Sequence, residues 1–211
     1  MKILDAKQAK KLAHRFCPVV VQEWKRLEDF PSVLNFDSEE RMRKNLVFGM
    51  REPALYYRMS EDAFYYYAFY MVFHAFDWSD SKFAIIRKLD SHVYDTEGLC
   101  FRISKVTGNC DLATIFHHDI KVQANSGPMV WIDAEGHGIR PYRQEYISDH
   151  AYSVYPPKAF NLYNLDSLTK STYDRITKLL NDGGVDAPHQ QSEDGILFTA
   201  PHTFFSNEIG D

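Results

Sequence analysis

The sequence predicts a mainly-β fold, an antiparallel β-sandwich with peripheral α-helices. Three observations carry this. The 211 residues include 13 Tyr and 15 Phe, and aromatic residues favour strands and bury large areas. Apolar residues alternate at period two over 95–103, the pattern of a half-buried strand. Turn-forming residues such as Thr107-Gly108-Asn109 and Asn125-Ser126-Gly127-Pro128 punctuate the apolar runs.

The elements follow in order. Asp5 is placed to cap a helix over 6–15, with Ala6, Ala9, Leu12, Ala13 and Phe16 at helical spacing. Pro18 ends it, and Val19-Val20-Val21 reads as a buried strand. Asp37 or Ser38 would cap a short helix over 39–46. Residues 54–76 read as two strands joined by a turn at Ser60-Glu61-Asp62. Strands are expected over 83–89, 97–106, 112–118 and 129–132. A last helix spans 167–181, with Asp166 as N-cap, a face of Leu168, Thr172, Ile176, Leu179 and Leu180, and Gly183 as C-cap. Residues 195–200 form one more strand. No repeat or linker interrupts the chain, and its length at ~150 residues per domain points to one domain over 1–211.

Composition narrows the function. Hydrophobic residues at 45% and charged residues at 25% exclude disorder for the bulk of the chain. A net charge of −5 argues against a nucleic-acid partner, which would call for a basic surplus. Cys17, Cys100 and Cys110 are an odd set without paired spacing, which fits free thiols in a reducing compartment. Met1–Arg15 lacks the apolar core of a signal peptide, so a cytoplasmic location is expected. No apolar run approaches the ~20 residues of a transmembrane helix. There is no Gly-x-Ser-x-Gly, no nucleophile-type Cys setting and no phosphate-cradling glycine loop.

The informative segment is Ser91-His92-Val93-Tyr94-Asp95-Thr96-Glu97. Alternation puts Asp95 and Glu97 on the same face as Leu99, Phe101 and Ile103, so two carboxylates take the inward parity. A desolvated, unpaired carboxylate costs several kcal/mol and needs a proton, a cation or a metal. His92 would join them if the chain bends between 92 and 95. An imidazole–carboxylate set suits a divalent cation, with carboxylate and water oxygens favouring Ca²⁺, Mg²⁺ or Mn²⁺ and Zn²⁺ as a further candidate. A hairpin closed at 107–109 sets Glu97 or Cys100 opposite residues 116–119, which would bring His118 towards the carboxylates. His137 stands between Gly136 and Gly138, where glycines allow close backbone approach. His14, His74, His150, His189 and His202 have no evident partner and read as structural or exposed. In Tyr65-Tyr66-Tyr67, alternation turns Tyr66 to one face and its neighbours to the other, so packing is the expected role.

These residues resemble the necrosis-inducing (necrosis-and-ethylene-inducing-like) proteins, including the vacuolar-sorting-like branch. That family carries the heptapeptide Gly-His-Arg-His-Asp-Trp-Glu; residues 91–97 keep the first His, the Asp and the Glu. The aromatic run Ala68–Asp77 is similar to the family's acidic-ended strand. Ile115-Phe116-His117-His118 and Gly136-His137-Gly138-Ile139-Arg140 resemble two later histidine segments, and Leu12–Val20 resembles the vacuolar-sorting-like opening. The likeness runs in order over 9–142. It implies a β-sandwich with an acidic pocket for one divalent cation, held by Asp77, His92, Asp95 and Glu97, with His118 and His137 close by. Tyr94 and Thr96 replace the family His and Trp, and paired cysteines are lacking, so the toxin branch's membrane damage is not expected here.

Two functions follow from such a site. One is metal-dependent recognition of a polar, sugar-like ligand, with peripheral membrane contact left open. The other is a metal-dependent hydrolase or lyase with His118 or His137 as general base. A metal-free structural domain is the bland third reading.

Overall fold

The computed structural model describes residues 1–33, 53–77, 92–114, 120–122, 128–144, 151–182 and 200–205. The expected helix at 39–46, the strands at 83–89 and 195–199, and His117, His118, His150, His189 and Gly183 lie outside these residues.

Strand β1 (Lys2–Ile3) leads into helix α1 (Ala6–Phe16), whose first turn is capped by Asp5 accepting the Lys7 and Gln8 N–H groups at 3.0 Å. The helix buries Ala9, Ala13 and Phe16 of the expected face, while Leu12 is partly buried and Ala6, in the first turn, is exposed. β2 (Val19–Glu23) follows Pro18, and a 3₁₀ turn (Leu27–Asp29) follows β2. β3 (Ala54–Glu61), β4 (Tyr65–Asp77), β5 (His92–Ser104), β6 (Cys110–Thr114) and β7 (Ile120–Val122) form a meander. β8 (Met129–Ile132) and β9 (Ile139–Pro141) pair antiparallel. β10 (Tyr152–Tyr155), β11 (Asn161–Asn164) and α2 (Lys170–Asp182) complete the described elements.

The strands make two sheets. One runs β1-β3-β4-β5-β6-β7, with β11 also on β3; the other runs β10-β2-β8-β9. Most pairings are antiparallel, while β11–β3 and β2–β8 are parallel. The period-two pattern sorts the larger sheet's side chains onto two apolar layers. Leu55, Tyr57, Tyr70, Val72, Leu99 and Phe101 share a core with α1 and with Val20, Val130 and Ile132 of the smaller sheet. Tyr56, Phe69, Met71, Phe73 and Cys100 face the opposite way, under Leu165 and Phe205. Tyr66 packs with the first layer and Tyr65 and Tyr67 with the second, as alternation requires. The fold is therefore a mainly-β sandwich with helices outside it.

Tyr70 ties α1 to this sandwich, since its buried hydroxyl donates to the Ala13 carbonyl at 2.7 Å. Tyr70→Phe should cost about 1 kcal/mol in a urea titration, because the Ala13 carbonyl loses its side-chain donor while the ring stays packed. Loss of less than ~0.3 kcal/mol would mean that water reaches that carbonyl.

Four expectations need correction. The turn between β3 and β4 falls at 62–64 rather than 60–62, because Ser60 and Glu61 still pair with Tyr67 and Tyr66 of β4. β5 begins five residues earlier than the expected 97. The β5–β6 register is Cys100 opposite Ala113, not opposite 116–119, because the connecting turn spans 105–109. Within it Gly108 takes φ +74° and donates to the Ser104 carbonyl. The last helix starts at Lys170 rather than 167. Leu165–Ser167 is a 3₁₀ turn capped by Asn164, and the Asp166 carboxylate is bound by Arg58 at 2.6–2.8 Å. Thr169 supplies the helix cap instead, accepting the Thr172 N–H at 3.2 Å. The side chains of Ile176, Leu179 and Leu180 lie outside the described ones.

The three cysteines are free and buried. Burial pushes the Cys17 and Cys110 thiols up to about 12, so neither supplies a thiolate nucleophile at neutral pH. No helix among the described residues is long and apolar enough to cross a membrane.

Candidate metal centre

The inward parity of residues 95–103 holds. Asp95 is 8% exposed, Glu97 is half-buried, and Leu99, Phe101 and Ile103 sit in the core on the same side. The β4–β5 ladder then places His74 directly across from Asp95, and Val72 across from Glu97. Asp77 and His92 are partners on a further rung. β5 is continuous from His92, so the Cα atoms of His92 and Asp95 are separated by roughly 10 Å of extended strand. The side chains of Asp77 and His92 lie outside the described ones, as does all of His118.

The smaller sheet supplies the other half of the site. β8 and β9 are joined by Asp133–Gly138, whose Asp133 N–H bonds the Gly138 carbonyl at 3.2 Å. The left-handed residues of this loop are Glu135 (φ 66°) and His137 (φ 49°), not the glycines. Each is restrained by side-chain bonds, which stabilises a backbone region that non-glycine residues seldom adopt. Glu135 bonds Lys25 Nζ at 3.0 Å and forms a looser ion pair with the Arg26 guanidinium at 3.8 Å. His137 is fully buried between two carboxylates, Nδ1 donating to Asp95 at 2.9 Å and Nε2 to Asp29 at 3.2 Å.

Asp29 is itself wholly buried. It accepts the backbone N–H groups of Lys25 and Arg26 at 2.8 Å and of Glu135 at 2.9 Å. Burial would raise its pKa, yet the imidazole and these three amides together hold it below the usual value of 3.8. Burial alone would likewise push His137 down, but the bonds and charges of Asp29 and Asp95 lift it to about 9. His137 is therefore an imidazolium at neutral pH.

His74 lies flat against it, rings 3.8 Å apart and 7° from parallel. Burial, and then the His137 charge, drive its pKa well below 6.5, so His74 is neutral. The Gln22 amide donates to the Glu23 and Asp133 carbonyls at 2.8 and 3.3 Å, which turns its oxygen to His74 Nε2 at 3.1 Å. Nε2 thus carries the proton, and Nδ1 is a bare lone pair, buried without a hydrogen-bond partner among the described residues.

This arrangement fits a cation. Ligand-type atoms of His74, Asp95 and His137 lie within 4.8 Å of one another; His74 and Asp95 have lone pairs to offer, whereas His137, protonated and bonded at both nitrogens, stands beside the site without ligating. An orphaned imidazole nitrogen is costly to bury unless something binds it. Two carboxylates around one imidazolium also leave a negative charge over. Among the site residues expected from sequence, Asp95 and His137 are in contact. His74, Asp29 and Gln22 were not expected. The signal for His74 was its place in step with Ala68, Tyr70 and Val72.

No protein-family profile matches the chain, and no curated protein matches it. Solved structures do. NLPPya in complex with mannosamine superposes with a TM-score of 0.53 at 14% identity, covering 93% of this chain and 93% of that one. NLPPya in complex with glucosamine gives a TM-score of 0.49 at 13% identity over 94% and 93% of the two chains. Necrosis and Ethylene inducing Protein 2 from the causal agent of cocoa's Witches Broom disease gives 0.48 at 11% identity over 98% and 93%. The first of these assigns the fold: the chain has the architecture of the necrosis-and-ethylene-inducing proteins.

Proposed function

We propose that the chain is a divalent-metal-binding β-sandwich module that recognises a polar, sugar-like ligand at the end of the β4–β5 ladder. The observation that carries this is the bare His74 Nδ1 beside Asp95 and His137, at the carboxylate-bearing end of the sheet. The fold neighbour solved with mannosamine supports the ligand class. His74 and Asp95 would hold the cation, with Glu97, Asp77 and His92 as further donors that the resemblance implies. Bound there, the cation would supply a Lewis-acidic contact for sugar hydroxyls. Asp29 keeps His137 oriented against the site. An imidazole in the donor set moves the preference from Ca²⁺ towards Mn²⁺ or Zn²⁺.

The hydrolase reading loses one of its two candidate bases, because an imidazolium clasped by Asp29 and Asp95 has no lone pair to offer. A reducing, cytoplasmic location and one folded unit over 1–211 remain part of the proposal.

Calorimetric titration with Mn²⁺, Zn²⁺, Mg²⁺ and Ca²⁺ tests it, followed by mannosamine and glucosamine with and without the metal. Asp95→Asn/Glu97→Gln should weaken metal binding ~10-fold or more, and sugar binding in parallel. Asp174→Asn, an exposed residue paired with Lys170 on α2, should leave both unchanged. Affinity should fall as pH falls, since protons compete for the same lone pairs. Equal affinity in the double variant and the parent would end the assignment.

A further inference from the structure

At the opposite end of β4 and β5, roughly 25 Å along the strand from His74, α1 and the β5–β6 turn flank a solvent-open cavity of about 380 Å³. Arg15, Phe16, Tyr66, Ser104, Lys105 and Thr107 line it. A second cavity of about 260 Å³ shares Arg15 and Tyr66 and adds Lys11 and Glu61. The first is within the size range of small-molecule sites.

The charges here are unevenly matched. Lys105 is pinned, bonding Glu61 at 2.8 Å and the Asp62 carbonyl, with its ammonium 4.9 Å from the Tyr66 ring centre. That pair is neutral. Lys11 and Arg15 lie one helical turn apart on α1, both exposed, and no carboxylate among the described residues pairs with either. Two full positive charges outweigh the roughly half-unit negative end of the helix dipole. They stand out on a chain of net charge −5. The Arg15 guanidinium lies 5.1 Å from the Phe16 ring centre, at the cavity wall.

The hydroxyls add direction. Ser104 Oγ accepts the Thr107 N–H at 3.1 Å, and Thr107 Oγ1 accepts the Asn109 N–H at 3.2 Å. Each oxygen is thereby engaged as an acceptor, and each O–H is left to donate outward. A guanidinium fork, two hydroxyl donors and a second cation at Lys11 match a group of more than one negative charge; a phosphate monoester carries about −1.5 to −2 on three acceptor oxygens, a carboxylate only −1.

We propose that this cavity binds a phosphate monoester, the phosphoryl oxygens on Arg15, Ser104 and Thr107 and the organic portion against Tyr66 and Phe16. The site is independent of the candidate metal centre and needs no metal. The test is NMR titration of the full chain with glucose 6-phosphate and with glucose, alongside co-sedimentation with phosphatidylcholine vesicles with and without phosphatidic acid. Glucose 6-phosphate should give saturable shifts at Arg15 and 104–108, and glucose none. Arg15→Ala should weaken binding ~10-fold or more and Ser104→Ala ~3-fold. Lys7→Ala removes the same charge from α1 outside the cavity and should cost less than ~2-fold. Arg15-dependent sedimentation with phosphatidic acid would mark a lipid headgroup as the natural source, and binding of the soluble ester alone a free metabolite. No saturable shift up to ~20 mM ester, or a Lys7→Ala effect equal to that of Arg15→Ala, would overturn the proposal.

Discussion

Asp29→Ala will destabilise the chain by about 3–5 kcal/mol, the range for removing one partner from a buried charge pair. The carboxylate is wholly buried and is the acceptor for Lys25, Arg26 and Glu135 backbone amides and for His137 Nε2. Alanine leaves those amides short of an acceptor and the imidazolium with one carboxylate instead of two. It also removes the buried link from the turn after β2 to Glu135 and His137, leaving the two segments joined by the Lys25 and Arg26 pairs with Glu135. Asp29→Asn separates charge from shape. It keeps the volume and one carbonyl oxygen, so about 2 kcal/mol should be lost, the scale of a hydrogen bond to a charged group. Urea unfolding at pH 7 with a chelator present measures both. A loss below ~1 kcal/mol for the alanine variant would mean that water replaces the carboxylate, and the two loops would then not be held through this residue.

The parts of this fold that sequence showed are those where one local pattern decides the structure. α1 was legible because Asp5 and the spacing of Ala9, Ala13 and Phe16 agree, and both are read within a dozen residues. The inward parity of Asp95 and Glu97 was legible because one strand carries it. The site's other half was not. Asp29 sits in Leu27-Glu28-Asp29-Phe30, which looks like an ordinary solvated acidic turn, and its partner His137 is 108 residues away. His74 appeared as a stray polar residue in an aromatic strand. Only the β4–β5 register, which pairs it with Asp95, gives it a role. The β5–β6 register slipped by three residues for a local reason. Thr107-Gly108-Asn109 marks the turn, but Ser104 closes it from further back through its own carbonyl and hydroxyl. The helix at 167–181 shows the same competition. Asp166 has the chemistry of an N-cap, yet Arg58, brought by β3, claims its carboxylate and Thr169 caps instead.

Stability of the metal-free chain should peak near pH 6.5, because the two stacked histidines pull in opposite directions. His137 is raised in the folded state from 6.5 to about 9. Its contribution is complete below 6.5, where both states carry the proton, and is lost as pH rises through about 9. A shift of that size corresponds to a loss on the order of 3 kcal/mol. His74 is lowered well below 6.5 by burial and then by the His137 charge. Its neutral form is retained in the fold while the unfolded chain gains a proton, so stability also falls as pH drops below 6.5. Asp29, held below 3.8, adds a further loss at the acid end as pH falls through its folded value. Urea midpoints in chelator between pH 5 and pH 9.5 would trace the dome. His137→Gln should flatten its alkaline limb and keep its acid limb. If the parent lost no stability between pH 7 and pH 9.5, His137 would not be the imidazolium that the Asp29 and Asp95 geometry requires. The site's extra negative charge would then stand at two units, and the case for a cation there would rest on that larger imbalance.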